Sequence, residues 1–202
     1  MALSVAAVYI SDREDLYLTD CAESFGYNLR GEIIDSCVVD DRDHRLGMAG
    51  AVRAAWTWAL ETDCDYALHV EEDFTLETPV ELGELVDILE RNPHLAQLVL
   101  KRQAWNDTEK RAGGIIEANP DAYIDCFDAR GNLVWCEHSE IFSLNPCLIP
   151  RRVLEVGWPD SNEAGFTQLC LERGWRFAFY GSKWDPPKVT HQGHLRSTGW
   201  RL

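Results

Sequence analysis

The sequence is short of positive charge: 19 lysines and arginines stand against 34 aspartates and glutamates, so its 202 residues carry a formal charge of -15. A surface of that sign repels a phosphate backbone wherever it is not locally reversed, which excludes broad nucleic-acid coating. Proline and glycine are also scarce, at 8 and 14 residues, while hydrophobic residues reach 46%. That balance excludes a disordered or fibrous chain and fits one ordinary folded domain with a real core. No apolar run approaches the roughly 18 residues needed to span a bilayer. Residues 1–10 carry neither a basic leader nor a small-residue cleavage site, so a cytoplasmic protein with no membrane partner is expected. The seven cysteines, at 21, 37, 64, 126, 136, 147 and 170, form no Cys-x-x-Cys pair. An odd count without that spacing argues against a zinc knuckle or a disulfide framework and for buried free thiols. Neither a Walker pattern nor G-x-G-x-x-G occurs, so P-loop and dehydrogenase readings lose ground.

What is present is alternation. Residues 3–10 (LSVAAVYI) form an apolar run that stops at Ser11, Asp12 and Arg13, as a strand covered on both faces would. A helical mixture over residues 14–28 leads to β-branched residues 33–39, which end at Asp40 and Asp41. Met48, Ala51, Val52, Ala55, Trp56, Ala59 and Leu60 fall on one helical face. Residues 66–70 then read as a strand ended by Glu71, Glu72 and Asp73, followed by a helix marked by Leu82, Leu85, Val86 and Leu89 and a strand over residues 95–100. Residues 103–140 hold breakers and predict loops with a hairpin. A helix over residues 162–173, stopped by Gly174, and a strand over residues 175–180 complete the pattern. Alternation with short connections predicts an α/β, Rossmann-like, mostly parallel sheet flanked by helices, with ligands at the carboxyl ends of its strands.

The candidate chemistry lies at those ends. Three carboxylates at 71–73 repel one another unless a cation or solvent relieves them, so they read either as a divalent-metal site or as an exposed acidic turn. His191, directed by Val189 and Thr190, offers an imidazole that suits manganese-like metals beside carboxylate oxygen, whereas His69 reads as a packed strand residue. Glu163 stands in the first turn of a helix, where it either serves the helix dipole or takes a proton from a hydroxyl. Gly47 and Gly50 open the helix at 48 and suit close approach of a ligand to backbone N–H groups, and Arg45 and Arg53 can offset phosphate charge. Trp105, Tyr123, Trp135, Trp158, Trp184 and Trp200 are stacking platforms or core, and Lys183, Lys188, Arg196 and Arg201 gather basic charge late in the chain.

In order, these features are a strand ending in Ser-Asp-Arg, a second ending in Asp40 and Asp41, a Gly-x-x-Gly-Ala helix, a strand ending in Glu-Glu-Asp, a helix bearing Glu163 and a late Thr-His. That order resembles the GT-A nucleotide-sugar glycosyltransferases, in a family-2-like form of the compact kind found in bacterial and phage genomes, over residues 3–102 and 141–194. The resemblance implies a single GT-A domain over residues 1–202, with a nucleotide-sugar-binding half at 1–102 and an acceptor-side half at 103–202 that carries the metal-binding tail. It implies that Asp40 or Asp41 contacts the base beside Ser11, Asp12 and Arg13, and that Gly50 and Arg53 belong to the donor site. Glu71-Glu72-Asp73 then takes the place of Asp-x-Asp, with Asp73 and His191 on Mn²⁺ or Mg²⁺, Glu71 or Glu72 on the ribose or a metal-bound water, and Glu163 as base. The implied reaction transfers a sugar from a UDP-sugar donor to an acceptor hydroxyl, with inversion. The acceptor is not given by the resemblance: a protein, a glycan or a small metabolite stands ahead of a modified DNA base, against which the overall charge argues. No Gln-x-x-Arg-Trp element follows, which sets the chain apart from processive polysaccharide synthases. Two other classes compete. A nucleotidyltransferase would show a Gly-rich basic first loop, which Ser11 to Glu14 lacks, and a non-catalytic carbohydrate-binding or assembly protein would bind no nucleotide sugar.

Overall fold

The computed structural model describes residues 3–12, 16–43, 45–159 and 162–193. The chain begins with β1 (Val5–Ser11), α1 (Leu16–Asn28), β2 (Leu29–Arg30), β3 (Asp35–Asp40), α2 (Gly47–Glu61), β4 (Tyr66–Glu71), β5 (Phe74–Leu76) and β6 (Val80–Glu81). It continues with α3 (Leu82–Arg91), β7 (Leu95–Val99), α4 (Asp107–Ala112), a short 3-10 turn at Pro120–Ala122, β8 (Ile124–Phe127) and β9 (Val134–His138). Next come β10 (Cys147–Pro150), α5 (Arg151–Leu154), α6 (Glu163–Glu172), β11 (Arg176–Tyr180) and β12 (Val189–His191). Among the described residues no helix is long and apolar enough to cross a membrane.

Eight strands make one sheet in the order β3-β1-β4-β10-β7-β11-β9-β8. The expected α/β class holds, but the sheet is mixed rather than mostly parallel. β1 runs parallel to β3 and β4, and β7 to β11. β10 lies antiparallel between β4 and β7, and the hairpin of β8 and β9 closes the far side antiparallel to β11. A short strand buried along its whole length, as β10 is, has the same residue pattern in either direction.

Strand alternation divides the core in two. Ala6, Val8, Ile10, Ala67 and Ile149 face α2, α5 and α6, while Val5, Ala7, Leu68, Val70 and Leu148 face α1 and α3. Ala51, Ala55 and Ala59 let α2 lie close to β1, and its Trp56 is the hub of an aromatic cluster. That ring meets Trp158 and Phe166 edge-on, with centroids 5.4 and 5.3 Å away, and fixes α6 against α2. The hairpin expected within residues 103–140 turns at Asp128, whose carboxylate accepts the N–H groups of Asn132 and Leu133 at 2.6 and 3.0 Å. All seven cysteines are free thiols, and Cys21, Cys64, Cys136, Cys147 and Cys170 are buried.

Candidate active site

Because β3, β1 and β4 are parallel neighbours, their acidic ends collect along one edge: Ser11 is in register with Asp40, and Ile10 with Glu71. Glu72 turns back from that edge. Its carboxylate accepts the Ser11 hydroxyl and, at 3.0 Å, the Asp12 N–H, so this buried residue fastens the loop after β1. Burial pushes the Glu72 carboxyl up and the Asp12 charge adds to this, against the two hydrogen bonds. Asp41 is fully buried, and its two oxygens accept the N–H groups of Leu46 and Gly47, each at 2.8 Å. Leu46, at the cap position of α2, makes no side-chain cap, so Asp41 satisfies the helix start from a distance, and Gly47 supplies the φ of +63° that this turn requires. Asp40 is exposed and ion-paired with Arg42, whose guanidinium holds its carboxyl below the usual range. At Gly50 a Cβ would lie 3.1 Å from the Leu46 Cβ, and Arg53 donates to the Pro159 carbonyl at 3.5 Å. Arg13 lies outside the described residues, as do Asp160, Ser161, His194, Arg196, Trp200 and Arg201.

Asp73 and His191 meet. After β4 the chain turns through Glu72 and Asp73 into β5, on which β12 lies antiparallel with His191 opposite Phe74. The Gln192 N–H donates to the Asp73 carbonyl at 2.6 Å. The result is a His191 Nε2 to Asp73 Oδ2 distance of 3.1 Å, with the two side chains 17% and 8% exposed. His191 Nδ1 is buried without a hydrogen-bond partner among the described residues.

Two more carboxylates, Glu71 and Glu163, lie on the other face of the sheet. Asn162 caps α6 by accepting the N–H groups of Ala164 and Gly165 at 3.1 and 3.3 Å, which leaves Glu163 in the first turn. Glu163 Oε1 accepts the Leu144 N–H at 2.7 Å, so the carboxylate ties α6 to the approach of β10. The fully buried Cys147 thiol is pushed well above its ordinary value by burial first and then by the charges of Glu71 and Glu163. On the opposite face Cys21 is pushed up to about 12 by burial first, then by Asp73 and Glu72. His69, beneath Glu71 on β4, is fully buried with neither ring nitrogen partnered among the described residues, and burial lowers its pKa to about 4. It is a neutral packing residue.

Of the aromatic platforms, Trp158, Trp135 and Tyr123 belong to the core and Trp184 is exposed, while Trp105 packs on the His191 ring with centroids 4.0 Å apart. Sequence reasoning missed Gln103 altogether, a loop residue hydrogen-bonded to His191 from 88 positions away. A shallow cavity of about 540 Å³ opens beside α4, lined among others by Asn106, Asn119, Tyr123 and Glu140.

A carboxylate oxygen and an imidazole nitrogen suit a divalent cation such as Mg²⁺ or Mn²⁺ that keeps most positions for phosphate and water. Among the described residues no three His, Cys, Asp or Glu side chains are grouped to hold a metal ion. The pair therefore fits a cation shared with a ligand and does not fit one caged by protein alone.

No family model matches the sequence, and no curated protein is similar to it in sequence. Solved structures do resemble the fold. GalNAc-T7, crystallised with UDP, GalNAc and Mn²⁺, superposes with a TM-score of 0.61 at 10% identity, over 98% of this chain and 45% of that one. S. aureus TarS 1-349 in complex with UDP gives 0.56 at 13% identity, over 93% and 60%. A197 from STIV gives 0.51 at 15% identity, over 89% and 83%. The chain thus spans about half the length of GalNAc-T7 and three-fifths of the TarS chain. It has the GT-A fold that its sequence resembles.

Proposed function

We propose that the chain is a metal-dependent glycosyltransferase that moves a sugar from a nucleoside diphosphate donor, UDP-sugar first, to an acceptor hydroxyl with inversion. The observation that carries this reading is the meeting of Asp73 with His191 at the ends of the parallel strands. In such sheets that edge is where ligands bind. Asp73 and His191 would hold Mn²⁺ or Mg²⁺. When bound, the cation offsets charge on the diphosphate leaving group. Glu72 holds the loop of Ser11 and Asp12, which with Asp40 forms the wall offered to the nucleoside. Glu163 is the proposed base: the Leu144 N–H fixes one of its oxygens, so the carboxylate is oriented before an acceptor hydroxyl gives up its proton. Glu71, at the end of β4, is proposed to face the donor ribose. Residues 1–102 are the proposed donor half and residues 103–202 the acceptor half of one domain.

The test is incubation with a panel of UDP- and GDP-sugars, with Mn²⁺, Mg²⁺ or EDTA, followed by mass spectrometry. Release of nucleoside diphosphate and free sugar in the metal arms alone is the expected result. Release of nucleoside monophosphate would point to nucleotidyl chemistry, and binding of no nucleotide sugar to a non-catalytic protein.

A further inference from the structure

A histidine that holds a metal through one ring nitrogen is usually aimed by a hydrogen bond on the other. His191 lacks that device among the described residues, since Nδ1 is buried and unpartnered. Its aim comes from elsewhere. The Lys101 carbonyl accepts the N–H groups of Lys188 and Val189 at 2.7 and 3.2 Å, and the Gln103 side chain extends that ladder. Gln103 Nε2 donates to the His191 carbonyl at 3.0 Å, and its Oε1 accepts the His191 N–H at 2.9 Å. The reciprocal pair fixes the amide orientation, because a flipped amide would set N–H against N–H. One side-chain amide thus stands in for a strand neighbour at the residue that carries the imidazole.

The ring is held by packing. Trp105 and Phe74 both meet it edge-on, with centroids 4.0 and 4.7 Å away. Trp105 is itself anchored, for its backbone N–H donates to Glu109 Oε2 at 2.8 Å. Glu109 is buried, accepts Arg102 through both oxygens at 2.7 and 3.1 Å, and also accepts the Asn106 amide at 2.8 Å. Arg102 and Glu109 therefore hold residues 103–106 as a rigid strap over the ring.

We propose that Gln103 and Trp105 are positioning residues that aim His191 at the shared cation, in place of a hydrogen bond on its second ring nitrogen. This rests on the reading of Asp73 and His191 as the cation-holding pair. The experiment follows Mn²⁺ binding in the presence of UDP by the loss of the free-ion EPR signal, for the full chain and its Gln103→Ala, Gln103→Glu, Trp105→Ala and Trp105→Phe variants. Melting temperatures are recorded alongside. Gln103→Ala and Trp105→Ala should weaken Mn²⁺ about tenfold, the low end for partners that orient a ligand. Gln103→Glu keeps the shape and the accepted bond but loses the donated one, so it should weaken Mn²⁺ severalfold even if Gln103→Ala lowers the melting temperature. Trp105→Phe should recover part of what Trp105→Ala loses. In turnover assays the Mn²⁺ concentration for half-maximal rate should rise, with kcat restored at saturating Mn²⁺, whereas a purely structural role would lower kcat at every concentration. Unchanged Mn²⁺ affinity in folded Gln103→Glu and Trp105→Ala would overturn the proposal and leave the cation site standing. A folded parent chain that binds no Mn²⁺ with UDP would overturn both.

Discussion

At the residue scale the two acidic candidates separate by what holds them. Asp73 faces an imidazole at 3.1 Å, whereas Glu163 is fixed by a backbone N–H at 2.7 Å. Asp73→Asn should therefore lower metal-dependent kcat/KM by at least about 100-fold, near 2.7 kcal/mol. Glu163→Gln keeps an oxygen for the Leu144 N–H, so it should leave UDP affinity within about twofold and cut kcat by roughly 10²–10⁴, the range of a lost general base. Steady-state kinetics beside UDP titration separates the two, and full activity of either variant rejects its assignment. Two histidines outside this pair contribute to the pH dependence of stability. Burial lowers His138 to about 3 and His69 to about 4, below the ordinary 6.5. Between those values the unfolded chain binds protons that the folded chain refuses, so stability is full above pH 6.5 and falls as pH drops toward 4. At about 1.4 kcal/mol per pKa unit, His69 alone accounts for a loss on the order of 3 kcal/mol. Glu72, raised by burial, acts in the opposite sense. Urea midpoints measured from pH 7 to pH 4 should fall, and His138→Phe should flatten that slope.

At the scale of elements, what could be read in the sequence was what depends on local pattern. The apolar run of β1, the alanine-rich face of α2, the acidic stop of β4 and the first turn of α6 with Glu163 are each written within a dozen residues, and each stands close to its expected place. Strand direction is not written locally, which is why the antiparallel insertion of β10 was invisible. Nor is the pairing of β12 with β5, three residues on three, since its partner lies far back in the chain and Gln103 completes it from a loop. That Asp73 and His191 meet was expected from residue type and order, whereas the hydrogen bonds that make Glu72 and Asp41 internal fasteners depend on a loop geometry that composition does not carry. The cap of α6 bears on the proposed base. Asn162 satisfies two N–H groups in the turn that holds Glu163. Asn162→Ala should cost about 1 kcal/mol and Asn162→Asp much less. If Glu163 is the base, kcat should fall with the Ala variant and recover with Asp, as urea melts and initial rates on the same preparations would show.

For the molecule as a whole, the governing quantity is charge. The chain carries -15, and the strand ends around the proposed site bear Glu71, Glu72 and Asp73, so a diphosphate approaching alone meets repulsion. Among the described residues, a cation at the proposed site would find the two donors of Asp73 and His191, too few to complete its coordination. Each ligand supplies what the other lacks: the cation offsets the phosphate charge, and the phosphates fill the remaining positions around the cation. Binding should therefore be strongly coupled, and by reciprocity each should tighten the other by the same factor. Melting temperature reads this directly, because a ligand at 100 times its Kd stabilises the folded state by about 2.7 kcal/mol. For a chain of this length that is a rise of roughly 5–10 °C. Mn²⁺ alone and UDP alone should each shift the melt by little, and the two together should give the full rise. Asp73→Asn should abolish the joint effect while leaving the melt without ligand near that of the parent chain. Shifts from the two ligands that merely add would mean that they bind apart, and the shared site would have to be given up.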